Sequence, residues 1–188
     1  LAVCVGGESE EWCLDAAQAG NFDLIVLSET VDGIEEEHDE DEKHGEHGEE
    51  VDEHFWMSPR EMRTAALALA DKMCEKFPDK RDEIKEKAEA YAERLESLDG
   101  KYRAALDGRD GKFIVVADRF PFAYLARDYG IEYIAAFDGC SAESEASFET
   151  VKALADALRT RGLRYVVITE TGDAALADTV ISSAGVQA

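Results

Sequence analysis

Short apolar runs alternate with amphipathic stretches at the start of the chain. Residues 1–7 (LAVCVGG) and 22–29 (FDLIVLSE) are apolar runs that end in glycine or polar residues, which is typical of buried strands. The stretch between them, 9–20 (SEEWCLDAAQAG), begins with a helix-capping serine and ends with glycine. Strand, helix and strand in this order predict a parallel pair joined by a crossover helix.

The same alternation returns in the last third of the chain. Three apolar runs, KFIVVA, EYIAAF and RYVVITE, are each followed by an amphipathic helical stretch. This pattern predicts a second parallel sheet, covered by helices on both faces. Ligands of such sheets bind at the carboxyl ends of the strands. The residues at those ends are Asp118, Arg119, Asp138, Gly139, Cys140 and Glu170.

Two helical stretches separate these regions. Ser58-Pro59 is a helix-start signal, with serine as the cap and proline in the first turn. From Asp79 to Leu106 apolar residues recur every three or four positions, which predicts one helix of about 40 Å at 1.5 Å per residue. Its apolar stripe is Ile84, Ala88, Tyr91, Leu95, Leu98, Tyr102 and Ala105.

The alternation predicts an α/β chain in three parts. Residues 1–77 form part of an N-terminal lobe, 78–107 a long helix between the lobes, and 108–188 part of a C-terminal lobe. The chain opens directly in a strand pattern and closes just as a helix ends, so we expect a piece of a longer protein. Exposed sheet edges and apolar faces then predict self-association of the piece.

The charge of the chain changes the range of possible partners. Asp and Glu number 43 against 20 Lys and Arg, a net charge of −23, and hydrophobic residues make up 45% of the chain. Such a charge disfavours nucleic acid and anionic lipid and favours cations. Twelve of the acids lie between Glu35 and His54. No apolar run approaches the roughly 18 residues of a membrane-spanning helix.

Several enzyme classes lack their signals. No glycine-rich phosphate loop follows a strand, and no GxSxG elbow is present. Cys140 follows a strand in GCS, a possible nucleophile position, but no histidine is near it in sequence. The four cysteines form no CxxC pair, so neither a zinc ribbon nor a disulfide framework is indicated, and most are expected to be small buried apolar residues.

The four histidines occur in two different settings. His38, His44 and His47 lie among acids and glycines within 31–53, a segment with almost no apolar residues that is therefore predicted to be disordered. A weak, mobile metal-gathering loop and a solvated spacer are the two interpretations. His54 stands beside Phe55 and Trp56, just before a helix start. It is either a fixed metal ligand, since imidazole suits zinc and manganese, or a packed capping residue.

The residues around His54 favour the first interpretation. DEHFWMSPR followed by a helix resembles the DPHVWLSP signature of zinc- and manganese-binding solute-binding proteins of ABC transporters, the metal-binding cluster A-I family. DRFPFAYLARDYGI is similar to the HDAFGYFARRYGL segment of that family. GCSAESEASFETV is similar to its SGISPEAEPSP region, and ITETGDAALADTV to its strand-Glu-helix element.

The resemblance implies a fold and a function. It implies two α/β lobes with parallel sheets covered by helices, joined by a long rigid helix, with both termini of the family fold missing here. It further implies capture of Zn²⁺, or alternatively Mn²⁺, and delivery to an ABC transporter permease. The location would be extracytoplasmic, as a cell-surface lipoprotein or in the periplasm, and the protein would not be an enzyme.

The resemblance carries over only some of the ligands. His54 matches a family metal histidine directly. The second-lobe ligand falls on Arg119, whose guanidinium cannot bind a cation, so either Asp118 takes the place or the pocket differs. Glu170 matches a glutamate near the cleft, and Cys140 could serve as a soft ligand. The first and last family ligands fall outside residues 1–188.

Two rival functions remain. One is a metal-buffering protein or adhesin of the cell surface that uses the same fold without a transporter. The other is a flavodoxin-like enzyme domain, against which the missing phosphate loop argues.

Overall fold

The computed structural model describes residues 1–7, 10, 12–35, 51–137, 139 and 145–186. The chain divides into two compact units, Leu1–Ala105 and Leu106–Ala188. Each unit contains a two-stranded parallel sheet, which confirms the predicted α/β class. Within the described residues, no helix combines the length and the hydrophobicity that crossing a bilayer requires.

The first sheet is built as the strand–helix–strand pattern predicts. Strand β1 (Ala2–Cys4) and strand β2 (Leu24–Val26) pair in parallel, with Cys4 opposite Val26. Helix α1 (Trp12–Gly20) makes the crossover and buries Cys13 and Ala17, one turn apart on the same face. A 3₁₀ turn, Ser28–Thr30, follows β2.

The acidic segment 31–53 is predicted to be disordered, but both of its ends form backbone hydrogen bonds. Glu35 and Val51 form an antiparallel bridge, and the Asp52 amide donates to the Ile34 carbonyl at 2.8 Å. These backbone bonds hold the two ends of the segment together. They also place His54 immediately after an anchored piece of backbone.

The helix start predicted at Ser58-Pro59 is confirmed. The Ser58 hydroxyl accepts hydrogen bonds from the amides of Arg60 and Glu61 and caps helix α2 (Pro59–Lys76). After a 3₁₀ turn, Pro78–Lys80, helix α3 runs from Arg81 to Leu106, about 39 Å at 1.5 Å per residue. The long helix is therefore present, and its role as a link between two lobes stays a prediction.

The second sheet carries helices on both faces. Its elements are β3 (Phe113–Arg119), α4 (Ala123–Tyr129), β4 (Glu132–Phe137), α5 (Phe148–Arg161) and α6 (Ala174–Ala184). Val115 and Ala117 face a core with α5 and α6, whereas Val116 faces the opposite core with Ala126 of α4. This is the alternation expected of a sheet buried on both faces.

The predicted strand in RYVVITE is wrong except at one residue. Val167 forms a single parallel bridge to Val116, with backbone hydrogen bonds to Val115 and Ala117 at 2.8 and 2.9 Å. The ladder stops because the next amide on that side, of Thr169, donates to the Asp118 side chain at 2.9 Å. A carboxylate at the end of β3 thus takes the place of the next strand hydrogen bond.

Candidate metal centre

His54 begins a short 3₁₀ turn, His54–Met57, that leads into the capped start of α2. Its imidazole Nδ1 lies 2.8 Å from Asp52 Oδ1, and the same oxygen accepts the His54 backbone N–H at 2.7 Å. The Asp52 side chain is 5% exposed and that of His54 is 16% exposed. One buried carboxylate oxygen therefore fixes both the backbone and the ring of His54.

The Asp52 contact selects a tautomer of the ring. A carboxylate only accepts hydrogen bonds, so Nδ1 carries the proton in this contact. In the neutral imidazole, Nε2 then holds the lone pair that a metal ion needs. Carboxylates commonly orient metal-binding histidines in this way and raise their basicity. His54 is predicted by the sequence pattern and Asp52 is not, although the Asp-x-His spacing is a signal that points to Asp52.

The two aromatic residues after His54 have different roles. Phe55 is 1% exposed and anchors the turn in the core of the unit. Trp56 is 38% exposed, and its ring lies 5.1 Å from the His54 ring and 5.8 Å from the Phe55 ring, between centroids. Phe55 thus fixes the turn from the core, while Trp56 flanks the imidazole near the surface.

Asp118 lies near the end of β3 in the second unit and is 8% exposed. Its Oδ2 accepts the Thr169 amide at 2.9 Å and the Thr169 hydroxyl, and its Oδ1 accepts the Arg119 amide at 2.8 Å. Three of the roughly four lone-pair sites of the carboxylate are thereby used. Asp118 is first of all the group that holds the 167–172 loop against the strand.

The electrostatics of Asp118 follow from these contacts. Burial on its own would raise the pKa of the carboxyl group. The hydrogen bonds from Thr169 and Arg119, together with the Arg119 charge, outweigh burial and lower the pKa below its usual value. The group is therefore held as a carboxylate at neutral pH, which both a structural acceptor and a metal ligand require.

Glu170 is exposed and follows directly on Thr169. It lines a cavity of about 350 Å³ in the second unit, together with Arg119 and the apolar residues Phe120, Phe122 and Ile168. The Arg119 guanidinium carbon lies 5.8 Å from the centre of the Phe137 ring. The residue at the expected ligand position therefore adds a positive charge beside Asp118.

The predicted site residues belong to different parts of the chain. His54 lies in the first unit, and Asp118 and Glu170 lie in the second, where Thr169 connects them. Cys140, His38, His44 and His47 lie outside the described residues, so their predicted roles are carried forward as predictions.

Comparisons with known proteins agree on one family. The model of the family described as ZnuA, zinc-uptake complex component A, periplasmic, matches residues 1–188. The zinc-binding lipoprotein AdcA of Streptococcus pneumoniae (strain ATCC BAA-255 / R6) is 34% identical over 167 residues, which cover 88% of this chain and 32% of AdcA. The chain thus spans about a third of the length of this relative.

Solved structures give the same result. A crystal structure of ZnuA superposes with a TM-score of 0.80 at 25% identity, covering 98% of this chain and 69% of the other. The Zn(II)-bound ZnuA-like domain of Streptococcus pneumoniae AdcA gives a TM-score of 0.65 at 29% identity, covering 93% and 60% of the two chains.

Proposed function

Because the chain belongs to the ZnuA family, the periplasmic component A of zinc-uptake complexes, we propose that it captures zinc for an ABC importer. The family provides the binding component of an uptake complex, so the protein is a binding protein and not an enzyme. Capture takes place outside the cytoplasm, on a cell-surface lipoprotein or in the periplasm, and the ion passes to the permease. Manganese is the alternative cargo.

The observation that carries the proposal is the orientation of His54 by Asp52. The 2.8 Å contact at Nδ1 prepares Nε2 as a ligand before any ion arrives. Phe55, buried to 1% exposure, and the Ser58 cap hold the backbone after this contact, and the bridge between Glu35 and Val51 holds the backbone before it. A ring prepared in this way loses little conformational freedom when it binds an ion.

The chemistry of capture is ligand exchange. Neutral imidazole and carboxylate oxygens displace water from the ion, and zinc accepts both kinds of donor. Protons compete for imidazole, so affinity falls as the solution becomes acidic. Release depends on protonation of the ligands.

The second unit contains the predicted carboxylate ligands. Asp118 remains a candidate ligand through the capacity left on Oδ1. Its hydrogen bonds to Thr169 also position Glu170, the next residue, whose exposed carboxylate is the other candidate. Cys140 is retained as a possible soft ligand, and His38, His44 and His47 as a loop that binds additional zinc weakly.

The test compares two sets of histidines in the full-length protein. His54→Ala removes a proposed ligand that Asp52 orients, and it is expected to weaken zinc binding at least about 100-fold. Loss of a residue that only hydrogen-bonds to a ligand typically costs about 10–100-fold. The matched control replaces His38, His44 and His47 together by alanine, removing more imidazole from the acidic segment. Zinc affinity is measured by competition with a chelator at fixed pH, and again with manganese.

Two outcomes would contradict the proposal. Unchanged affinity in the His54→Ala protein would make His54 a packing residue and would remove the assignment. Loss of the tight site in the triple variant would mean that the acidic segment holds the principal site. Zinc uptake by cells that carry the His54→Ala protein separates a transporter component, in which uptake falls, from a buffering protein or adhesin, in which it does not.

A further inference from the structure

Two cysteines and a glutamate meet at the start of the first unit. The Sγ atoms of Cys4 and Cys13 and a carboxylate oxygen of Glu10 all lie within 4.8 Å of one another. Cys4 is 7% exposed and Cys13 is 9% exposed, while Glu10 is partly exposed. Among the residues that the structure describes, no other group of three or more such side chains comes together in this way.

The fold brings these residues together through a glycine turn. Cys4 is the last residue of β1, and Cys13 lies in the first turn of α1 on its buried face. Gly6 and Gly7 have φ of 94° and 104°, a backbone conformation with positive φ that glycine adopts easily. This turn reverses the chain between Cys4 and Cys13. Glu10 Oε2 then accepts the amides of Val5 at 2.7 Å and Gly6 at 3.1 Å.

We propose that Cys4, Cys13 and Glu10 form a second metal site, for zinc or a cation of similar softness, separate from the site at His54. Thiolate sulfur selects zinc and related ions over magnesium and calcium. Three protein ligands leave a fourth position of the tetrahedron open, as in exchangeable zinc sites. The site therefore loads and unloads more readily than a closed structural site.

The geometry needs only a small contraction to hold an ion. Zinc–sulfur bonds of about 2.3 Å in a tetrahedron place two sulfur atoms about 3.8 Å apart. The two sulfur atoms lie within 4.8 Å of one another, so they must approach by at most about 1 Å. Rotation of the two cysteine side chains can supply this change. The amides of Val5 and Gly6 already hold the glutamate in place.

The electrostatics also favour a cation. Burial, together with the neighbouring Cys13 and Glu10, raises the pKa of the Cys4 thiol to about 11. The thiolate is therefore costly in the absence of an ion. A divalent cation removes that cost because it compensates the negative charges on all three ligands at once.

The experiment uses Co²⁺ as a spectroscopic substitute for zinc. The protein carries His54→Ala, so that the site at His54 does not contribute, and is kept reduced with a phosphine. We expect a thiolate-to-cobalt charge-transfer band that saturates at one equivalent and disappears when zinc is added. Cys4→Ser and Cys13→Ser should each weaken binding at least about 10-fold, whereas Cys74→Ser, a buried cysteine outside the cluster, should not.

A second variant covers the case in which the serine variants fail to fold. Glu10→Gln keeps an oxygen for the Val5 and Gly6 amides and leaves both thiols in place, and it should still weaken cobalt binding about 10-fold. Absence of the charge-transfer band at saturating cobalt would overturn the proposal. So would a band that persists in the Cys4→Ser/Cys13→Ser protein, or thiols of Cys4 and Cys13 that alkylate equally fast with and without zinc.

Discussion

Asp52 and Asp118 are two buried carboxylates that do opposite things for their neighbours. Asp52, 4% exposed, accepts hydrogen bonds from the ring and the backbone amide of His54, two residues along the chain. Asp118, 8% exposed, accepts the amide and hydroxyl of Thr169, 51 residues away. The first contact orients one nearby side chain, the proposed metal ligand His54, and the second holds two distant segments together.

The difference between the two contacts determines what each mutation should disturb. A local contact that orients the ring of a proposed ligand is expected to contribute mainly to metal affinity, because the surrounding backbone is also held by the Ser58 cap. A long-range contact that ends a strand ladder contributes mainly to stability, because its loss releases a whole loop. Burial alone does not distinguish the two; the sequence separation of the partners does.

The largest effect is expected from Asp118→Ala. The change leaves the Thr169 amide and hydroxyl without their acceptor in a partly buried place, and we expect it to lower the free energy of unfolding of the second unit by about 3 kcal/mol. Both tryptophans, Trp12 and Trp56, lie in the first unit, so fluorescence would miss this loss. Hydrogen exchange of peptides covering 113–119 and 163–172 measures it directly.

A matched control is available in the same unit. Asp156 pairs with Arg159 on the exposed face of α5, and Asp156→Ala should change stability by no more than about 0.5 kcal/mol. If Asp118→Ala behaves like Asp156→Ala, the carboxylate does not hold the loop, and its role would be that of a ligand alone.

The next largest effect is a loss of zinc affinity, expected from Asp52→Asn. Asp52→Asn keeps the shape of the side chain but removes the charge that selects the tautomer of His54. We expect zinc affinity to fall about 10-fold, the lower end of the range for groups behind a ligand, with little change in stability. Asp23→Asn, which removes an exposed pairing with Lys76 in the same unit, is the control and should leave affinity unchanged.

A smaller effect concerns acid stability. Because the pKa of Asp118 is lowered in the folded protein, its stabilising contribution is fully present above the usual value of 3.8 and is lost as the pH falls below it. Exchange protection of residues 163–172 should therefore decline below pH 3.8 in the parent and decline less in Asp118→Asn. Equal pH profiles for the two proteins would show that Asp118 titrates normally.

Local signals predicted most of the fold. Ser58-Pro59 marks a helix start by its own chemistry, and Gly130, Gly162 and Gly185 end helices with φ near 65°, where a side chain would be strained. The apolar runs identified β1 to β4. Such signals need no knowledge of distant partners, which is why they are readable in the sequence.

The missed features depend on contacts between distant residues. The apolar run RYVVITE reads as a strand, but the Asp118 side chain intercepts the Thr169 amide and stops the ladder at Val167. The cluster of Cys4 and Cys13 was not predicted because a strand end and a helix face meet only in three dimensions. Self-association also depends on contacts beyond the local sequence and stays a prediction. The large side chains of Trp12, Phe148 and Tyr165, each at least 65% exposed, are apolar surface of the kind it requires.

The smallest effect compares the helix caps of the two units. Ser58 is fully buried and accepts the amides of Arg60 and Glu61 at 3.2 and 3.3 Å, whereas the exposed Ser147 accepts the amide of Thr150 at 3.0 Å. Water can replace the hydroxyl at Ser147 but not at Ser58. We therefore expect Ser58→Ala to lower the free energy of unfolding by about 1.5 kcal/mol and Ser147→Ala by about 0.7 kcal/mol, both within the usual range for caps.

Hydrogen exchange of the first turns of α2 and α5 measures the two losses separately. Because the Ser58 hydroxyl caps α2 directly after the 3₁₀ turn that begins at His54, its loss in Ser58→Ala should loosen that junction and weaken zinc binding slightly, and Ser147→Ala should not. Equal costs at the two caps, or equal zinc affinities, would mean that the burial of Ser58 contributes nothing to the support of His54.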